Sequence, residues 1–188
     1  MKKILLSGFE AFDEHKDNSS QIMVELFSKS QLKGIELKTV ILPVTFSSSF
    51  EVLKKEIDSF KPDFIVSLGL AGNRKAIELE KVAINLIHTR GTDNEGVSLQ
   101  DKTIEEGGET GIFATLPIAQ MREVVAPFPV KMSFSAGTYV CNFLMYKTLS
   151  YTKGSTMKAG FIHLPHISDD QEEMFATLSS ILRSLTDA

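Results

Sequence analysis

Short apolar runs alternate with helix-period segments along most of this chain, and that alternation is met most directly by a layered α/β sheet. The run KKILLS is suited to burial on both faces and ends at Gly8, before the turn-like stretch GFEAFDEHKDNSS. Asn18 or Ser19 then caps a helix through Ser30, with Ile22, Met23, Leu26 and Phe27 on one face. IELKTVIL reads as a second strand. Ser48 and Glu51 have capping-box spacing, and Phe50, Leu53, Ile57 and Phe60 recur at helical intervals until Pro62 stops the run before the strand DFIVSLG.

The last third repeats the pattern. VKMSFSAG alternates as a strand, TYVCNFLMYKTLSY reads as a helix and KAGFIHL as a strand. Ser168 and Gln171, again at capping-box spacing, open a terminal helix with Met174, Phe175, Leu178, Ile181, Leu182 and Leu185 as its buried stripe. The expectation is a single domain over residues 1–188: a three-layer α/β fold with an open, twisted, mostly parallel sheet and helices on both faces. The middle is less regular. AIELEKVAINLI fits one strand or a hairpin, and HTRGTDNEGVSLQDKTIEEGGETG is a long polar stretch that fits a functional loop or a solvated hairpin.

Charge and composition exclude several classes. With 20 Lys and Arg against 24 Asp and Glu, the formal net charge is −4, and no basic block is present that would neutralise a run of phosphates. Nucleic acid is therefore not an expected partner. A single cysteine makes no internal disulfide, and the apolar run in MKKILLSGFEAF is too short for a signal peptide or a membrane span, so a cytoplasmic protein without membrane contact is expected. The glycosylation-like string Asn18-Ser19-Ser20 carries no weight without a secretory route.

In a parallel sheet, ligands gather outside the carboxyl ends of the strands, where helix amino termini present unpaired N–H groups. Those ends carry GFEAF, GLAGNR, SAGTYVCN and HLPH, which predicts one rim holding small residues, Cys141 and a histidine. With Thr138 as N-cap, Cys141 lies in the first helical turn, where the macrodipole favours a thiolate; it equally fits a small core residue beside Val140, Phe143 and Leu144. A nucleophilic cysteine needs a base. His15 in a charged turn and His88 at the polar loop suit surface roles, whereas His163 ends a neighbouring strand and His166 follows closely. The base in turn needs an orienting acceptor, for which Glu10, Glu78 and Glu80 all qualify; an inward Glu80 is costly without a cationic or hydrogen-bonding partner. No further ligand cluster supports a metal around Cys141, His163 and His166.

These segments together resemble the pyrrolidone-carboxylate peptidases, or pyroglutamyl-peptidases of type I. ILLSGFEAF with Asn18-x-Ser20, LGLAGNR, LEKVAIN leading to TDNEG, ATLPI, SAGTYVCN and GFIHLP occur in the family's order and span nearly the whole chain. The resemblance implies a cysteine peptidase that removes an amino-terminal pyroglutamyl residue from peptides through an acyl-enzyme, with no cofactor. It implies Cys141 as nucleophile, His163 as base, Glu80 as the carboxylate that orients it, and Arg90 with the Cys141 backbone N–H as holders of the oxyanion. Phe9 and Phe12 resemble the aromatics that enclose the lactam ring, and Asn18 an amide that fixes the adjoining loop and ligand. Pyroglutamate is a flat neutral lactam, and apolar walls with a few donors and acceptors suit it.

The chain differs from the family pattern at Ala11 and Asp13-Glu14, at Ser19, at Leu86-Ile87-His88 and in HISDD. Family members are commonly homo-oligomers, which implies a dimer or tetramer. Two other readings compete: a catalytically weak pyroglutamyl-binding protein, and a nucleoside-phosphorylase-like enzyme supported by fold analogy alone.

Overall fold

The computed structural model describes residues 1–12, 17–167 and 170–187. Asp13, Glu14, His15 and Ser168 lie outside the described residues, and with them the expected cap of the terminal helix. The apolar runs form strands β1 (Lys2–Phe9), β2 (Ile35–Leu42), β3 (Phe64–Leu70), β4 (Ile77–Glu80), β5 (Val82–Ile84), β6 (Gly111–Phe113), β7 (Val130–Ser133) and β8 (Lys158–Leu164). The helical segments are α1 (Ser19–Ser28), α2 (Ser49–Phe60), α3 (Ile118–Arg122), α4 (Val140–Thr152) and α5 (Gln171–Ser184). Among the described residues, no helix is long and apolar enough to cross a membrane.

Six strands form one sheet in the order β2-β1-β3-β8-β4-β7. β2, β1, β3 and β8 are mutually parallel; β4 pairs antiparallel with β8 and parallel with β7. The chain crosses outward from β1 to β2 through α1, then back past β1 to β3 through α2. With the right-handed crossovers usual for such units, the two helices fall on opposite faces. Phe27 of α1 stacks on Phe175 of α5 with centroids 4.5 Å apart, pairing those helices on one face. α2 packs with α4 on the other. Ile4, Leu5, Leu6, Ile65, Val66, Leu68, Phe161 and Ile162 are almost fully buried between the two helical layers, as near-continuous apolar strands in a parallel sheet require.

Several local expectations change. AIELEKVAINLI breaks at Lys81: β4 joins the main sheet, while β5 pairs antiparallel with β6 in a second, two-stranded sheet. The Ser48–Glu51 capping box does not close, because the Ser48 hydroxyl is 2.7 Å from that of Thr45 and makes no cap bond. Thr138 is not the cap of α4. Its hydroxyl donates to the His88 carbonyl at 2.7 Å, and Tyr139 precedes the helix instead, which leaves Cys141 in the first turn. The expectation of one common rim is also corrected. β7 runs opposite to β8, so its carboxyl end points away from that of β8, and residues 134–139 carry the chain to the site.

Candidate active site

The strand order places β1 between β2 and β3, so the chain leaves β1 in one direction and the rest of the sheet is built in the other. A crevice opens at such a switch point, outside the carboxyl ends of the diverging strands. A pocket sits there, with Phe9 from the end of β1, Leu70 from the end of β3 and Cys141 from α4 in its walls. Phe12, Asn18 and Tyr139 complete most of the remainder. Its volume is about 40 Å3, room for about three waters or one small ring. Phe12 and Tyr139 also line a larger, more polar cavity of about 890 Å3, with His88, Arg90, Asp93 and Asp101 in its walls.

Cys141 is half-buried. A Cβ added at Gly69 would come within 3.0 Å of its Sγ and 2.7 Å of the Phe161 ring, so glycine is required there by close approach. Gly69 is also the residue opposite His163 in the β3–β8 ladder. Gly69 thus borders both the nucleophile candidate on α4 and the base candidate on β8.

His163 is buried, and its Nδ1 lies 2.7 Å from Glu80 Oε1. Glu80 is fully buried at the end of β4. Of the three glutamates left open by the sequence, Glu80 is the one bonded to this histidine; Glu10 accepts from Asn94, and Glu78 pairs with Arg74. Arg74 also lies 3.0 Å from Glu80 Oε1 and donates to the Ser135 carbonyl at 2.9 Å. It is the cationic partner that an inward glutamate needs. Burial opposes the charge on Glu80, but the His163 hydrogen bond and charge, the Ser133 hydroxyl and Arg74 together outweigh it and hold the carboxyl below its ordinary range.

The surroundings of Cys141 work against the expected thiolate. Burial first, and then the Glu80 charge, push the Cys141 thiol up to about 12, against the opposing effects of Arg74 and the Cys141 backbone N–H. The helix terminus acts in the expected direction, but desolvation is larger.

The other sequence candidates fall in several places. Phe9, Phe12 and Asn18 share the pocket with Cys141. Asn18 is occupied with its own loop: Oδ1 accepts from the Ser20 N–H and hydroxyl, and Nδ2 donates to the Glu10 carbonyl. Arg90 is exposed in the wall of the larger cavity rather than the Cys141 pocket, and its guanidinium has no hydrogen bond or ion pair among the described residues. His88 pairs with exposed Asp101 at 2.9 Å. His166 is exposed and packs close to Gly72. No group of three or more metal-binding side chains occurs among the described residues.

Three further residues hold the site, and sequence reasoning did not single them out. Arg74 lies inside the quoted LGLAGNR. Asn142, beside the cysteine, is buried and exchanges hydrogen bonds with Ile84 N and O at 2.9 Å each. Asp93 is buried and accepts from the N–H groups of Phe46, Glu95 and Val97. The signal for Asn142 and Asp93 was their polar type within apolar or turn-forming segments.

Comparison with known proteins identifies the family. A family model described as "Pyroglutamyl peptidase" matches residues 2–182. The chain is 35% identical over 182 residues to the pyrrolidone-carboxylate peptidase of Thermococcus litoralis, covering 95% of this chain and 83% of the relative. It is 39% identical over 173 residues to that of Erwinia tasmaniensis, covering 90% and 80%. The crystal structure of Bacillus amyloliquefaciens pyroglutamyl peptidase I superposes with a TM-score of 0.95 at 29% identity, covering 100% of this chain and 98% of that one. From strand order to sequence match, these findings agree: the chain belongs to the pyroglutamyl peptidase family.

Proposed function

We propose that this protein is a cysteine peptidase that hydrolyses the amide bond after an amino-terminal pyroglutamyl residue, with Cys141, His163 and Glu80 as its catalytic set. The observation that carries the assignment of roles is the buried Glu80–His163 hydrogen bond beside the strand-end glycine that borders Cys141 Sγ. Glu80 holds Nδ1, which leaves Nε2 of His163 as the nitrogen that receives the thiol proton. Burial favours the neutral thiol, so that proton leaves for Nε2 as Sγ attacks the pyroglutamyl carbonyl. His163 then protonates the leaving amine and activates water to release the acyl-enzyme.

The first-turn N–H of Cys141 has no acceptor within its helix and is one donor for the oxyanion. Arg90, on the adjoining wall and without an ion pair among the described residues, is the side chain available to share it. Phe9 and Phe12 provide apolar faces for the lactam, and Asn18 fixes the loop between them. The reading includes no cofactor and has the protein acting in the cytoplasm on soluble peptides as a homo-oligomer, a state that light scattering of the purified chain measures. The comparisons favour neither a binding-only protein nor a nucleoside-phosphorylase-like enzyme.

The decisive assay is release of a fluorogenic amine from its pyroglutamyl amide. We expect thiol-dependent release, abolished by iodoacetamide and reduced about 10^4-fold or more in Cys141→Ala. Well-folded protein without such release overturns the reading.

A further inference from the structure

Arg74 lies where the two halves of the site meet. It follows β3 in the turn AGNR, and its guanidinium, largely shielded from solvent, contacts three groups: Glu78, Glu80 and the Ser135 carbonyl. Its Nη1 is 3.0 Å from the same Glu80 Oε1 that receives His163 Nδ1 at 2.7 Å. The contact to Ser135 anchors the segment that leads into the cysteine helix. One planar cation thus fastens the carboxylate that orients the base and the approach to the nucleophile, a task suited to a rigid fork of donors and poorly suited to a point charge.

We infer that Arg74 is a positioning residue for this site: it fixes Glu80 toward His163 and counterbalances the carboxylate charge next to Cys141. The inference rests on the peptidase reading only for its turnover arm. The charged or titratable groups facing this cluster are Glu78 and Glu80 on β4, His163 on β8, His166 against Gly72 of the same turn, and Cys141 on α4. Without Arg74, the Glu80 carboxylate would face the Cys141 thiol with its positive neighbour gone, and forming a thiolate would become harder. This direction agrees with the opposing effects of the two side chains on that thiol.

The test uses alkylation of Cys141, which needs no substrate. The rate with iodoacetamide is followed from pH 6 to 11 in the wild type, Arg74→Gln, Arg74→Lys and the double variant Arg74→Gln/Glu80→Gln. Arg74→Gln should move the profile upward by about one pH unit, about tenfold slower at a fixed pH on the rising limb. Removing Glu80 in the double variant should bring it back toward the wild type. Arg74→Lys keeps the charge and loses the fork, so its alkylation profile should stay near the wild type. On the pyroglutamyl amide its kcat should fall about tenfold with little change in KM.

A folded Arg74→Gln whose profile coincides with the wild type overturns the inference. So does an Arg74→Lys that shifts as far as the glutamine variant, or one that matches the wild type in kcat. If Arg74→Gln does not fold, Arg74→Lys decides by the same two readouts. Absence of wild-type turnover sinks the peptidase reading and leaves the alkylation arm standing.

Discussion

Two histidine–carboxylate pairs of nearly equal length occupy different regions of this molecule. At the sheet rim, His163 and Glu80 are 2.7 Å apart and almost wholly buried; in the outer loop, His88 and Asp101 are 2.9 Å apart, with side chains 45% and 80% exposed. Distance alone would rank them together. Burial separates them, because water screens the outer pair and competes for its hydrogen bonds, whereas the inner pair is enclosed and backed by Arg74. The inner pair is a fixed instrument; the outer one is a loop contact in the wall of the larger cavity.

The largest expected break in that contrast is Glu80→Gln. It removes the charge that His163 and Arg74 share, so kcat on a pyroglutamyl amide should fall about 10^4-fold, the scale found when an orienting carboxylate is lost. Chemical denaturation should show a loss of about 3 kcal/mol, the scale for breaking a buried pair. The effect has a defined pH dependence. Because the folded Glu80 carboxyl titrates below its ordinary value of 4.5, its charge stabilises the fold fully above that value, and the contribution is lost as pH falls from there through the lower folded value. The stability gap between wild type and Glu80→Gln should therefore narrow as the pH is lowered from 6 toward 3.

Gly69→Ala tests the enclosure directly. The added methyl meets the Phe161 ring at 2.7 Å and Cys141 Sγ at 3.0 Å, so we expect a destabilisation of about 1–3 kcal/mol. Activity should fall as the thiol is displaced; wild-type kcat and melting temperature would contradict the close packing. The smallest effect belongs to the outer pair. Asp101→Asn should change stability by less than about 0.5 kcal/mol and leave kcat unchanged, read by thermal melting and by steady-state kinetics. A loss comparable to that of Glu80→Gln would erase the distinction between the two regions.

The strands and helices of the parallel half are legible in the sequence because their apolar patterns are local. Ile22, Met23, Leu26 and Phe27 announce α1, and of the two caps the sequence offers, Asn18 is the one used. The reversal at β4 and β7 is not legible, since strand direction depends on pairing with β8, far away in sequence. Ser48 and Thr138 match cap signals, yet each hydroxyl finds another partner in the folded chain, Thr45 and the His88 carbonyl. Residue physics left three glutamates open, and family resemblance chose Glu80, which the geometry places on His163. Arg74 was not singled out because nothing local to the turn AGNR shows that its side chain reaches Glu80 on the following strand.

Asn142 gives the neighbouring small sheet something it would otherwise lack. Its side-chain amide offers one acceptor and one donor to Ile84, the two bonds that the peptide group of another strand would make. β5 is bordered by β6 on its other side, so this amide occupies the position of a missing third strand. An open strand margin invites pairing with other chains and ultimately aggregation. By closing that margin with a side chain drawn from the cysteine helix, the fold joins protection against misassembly to correct seating of the nucleophile.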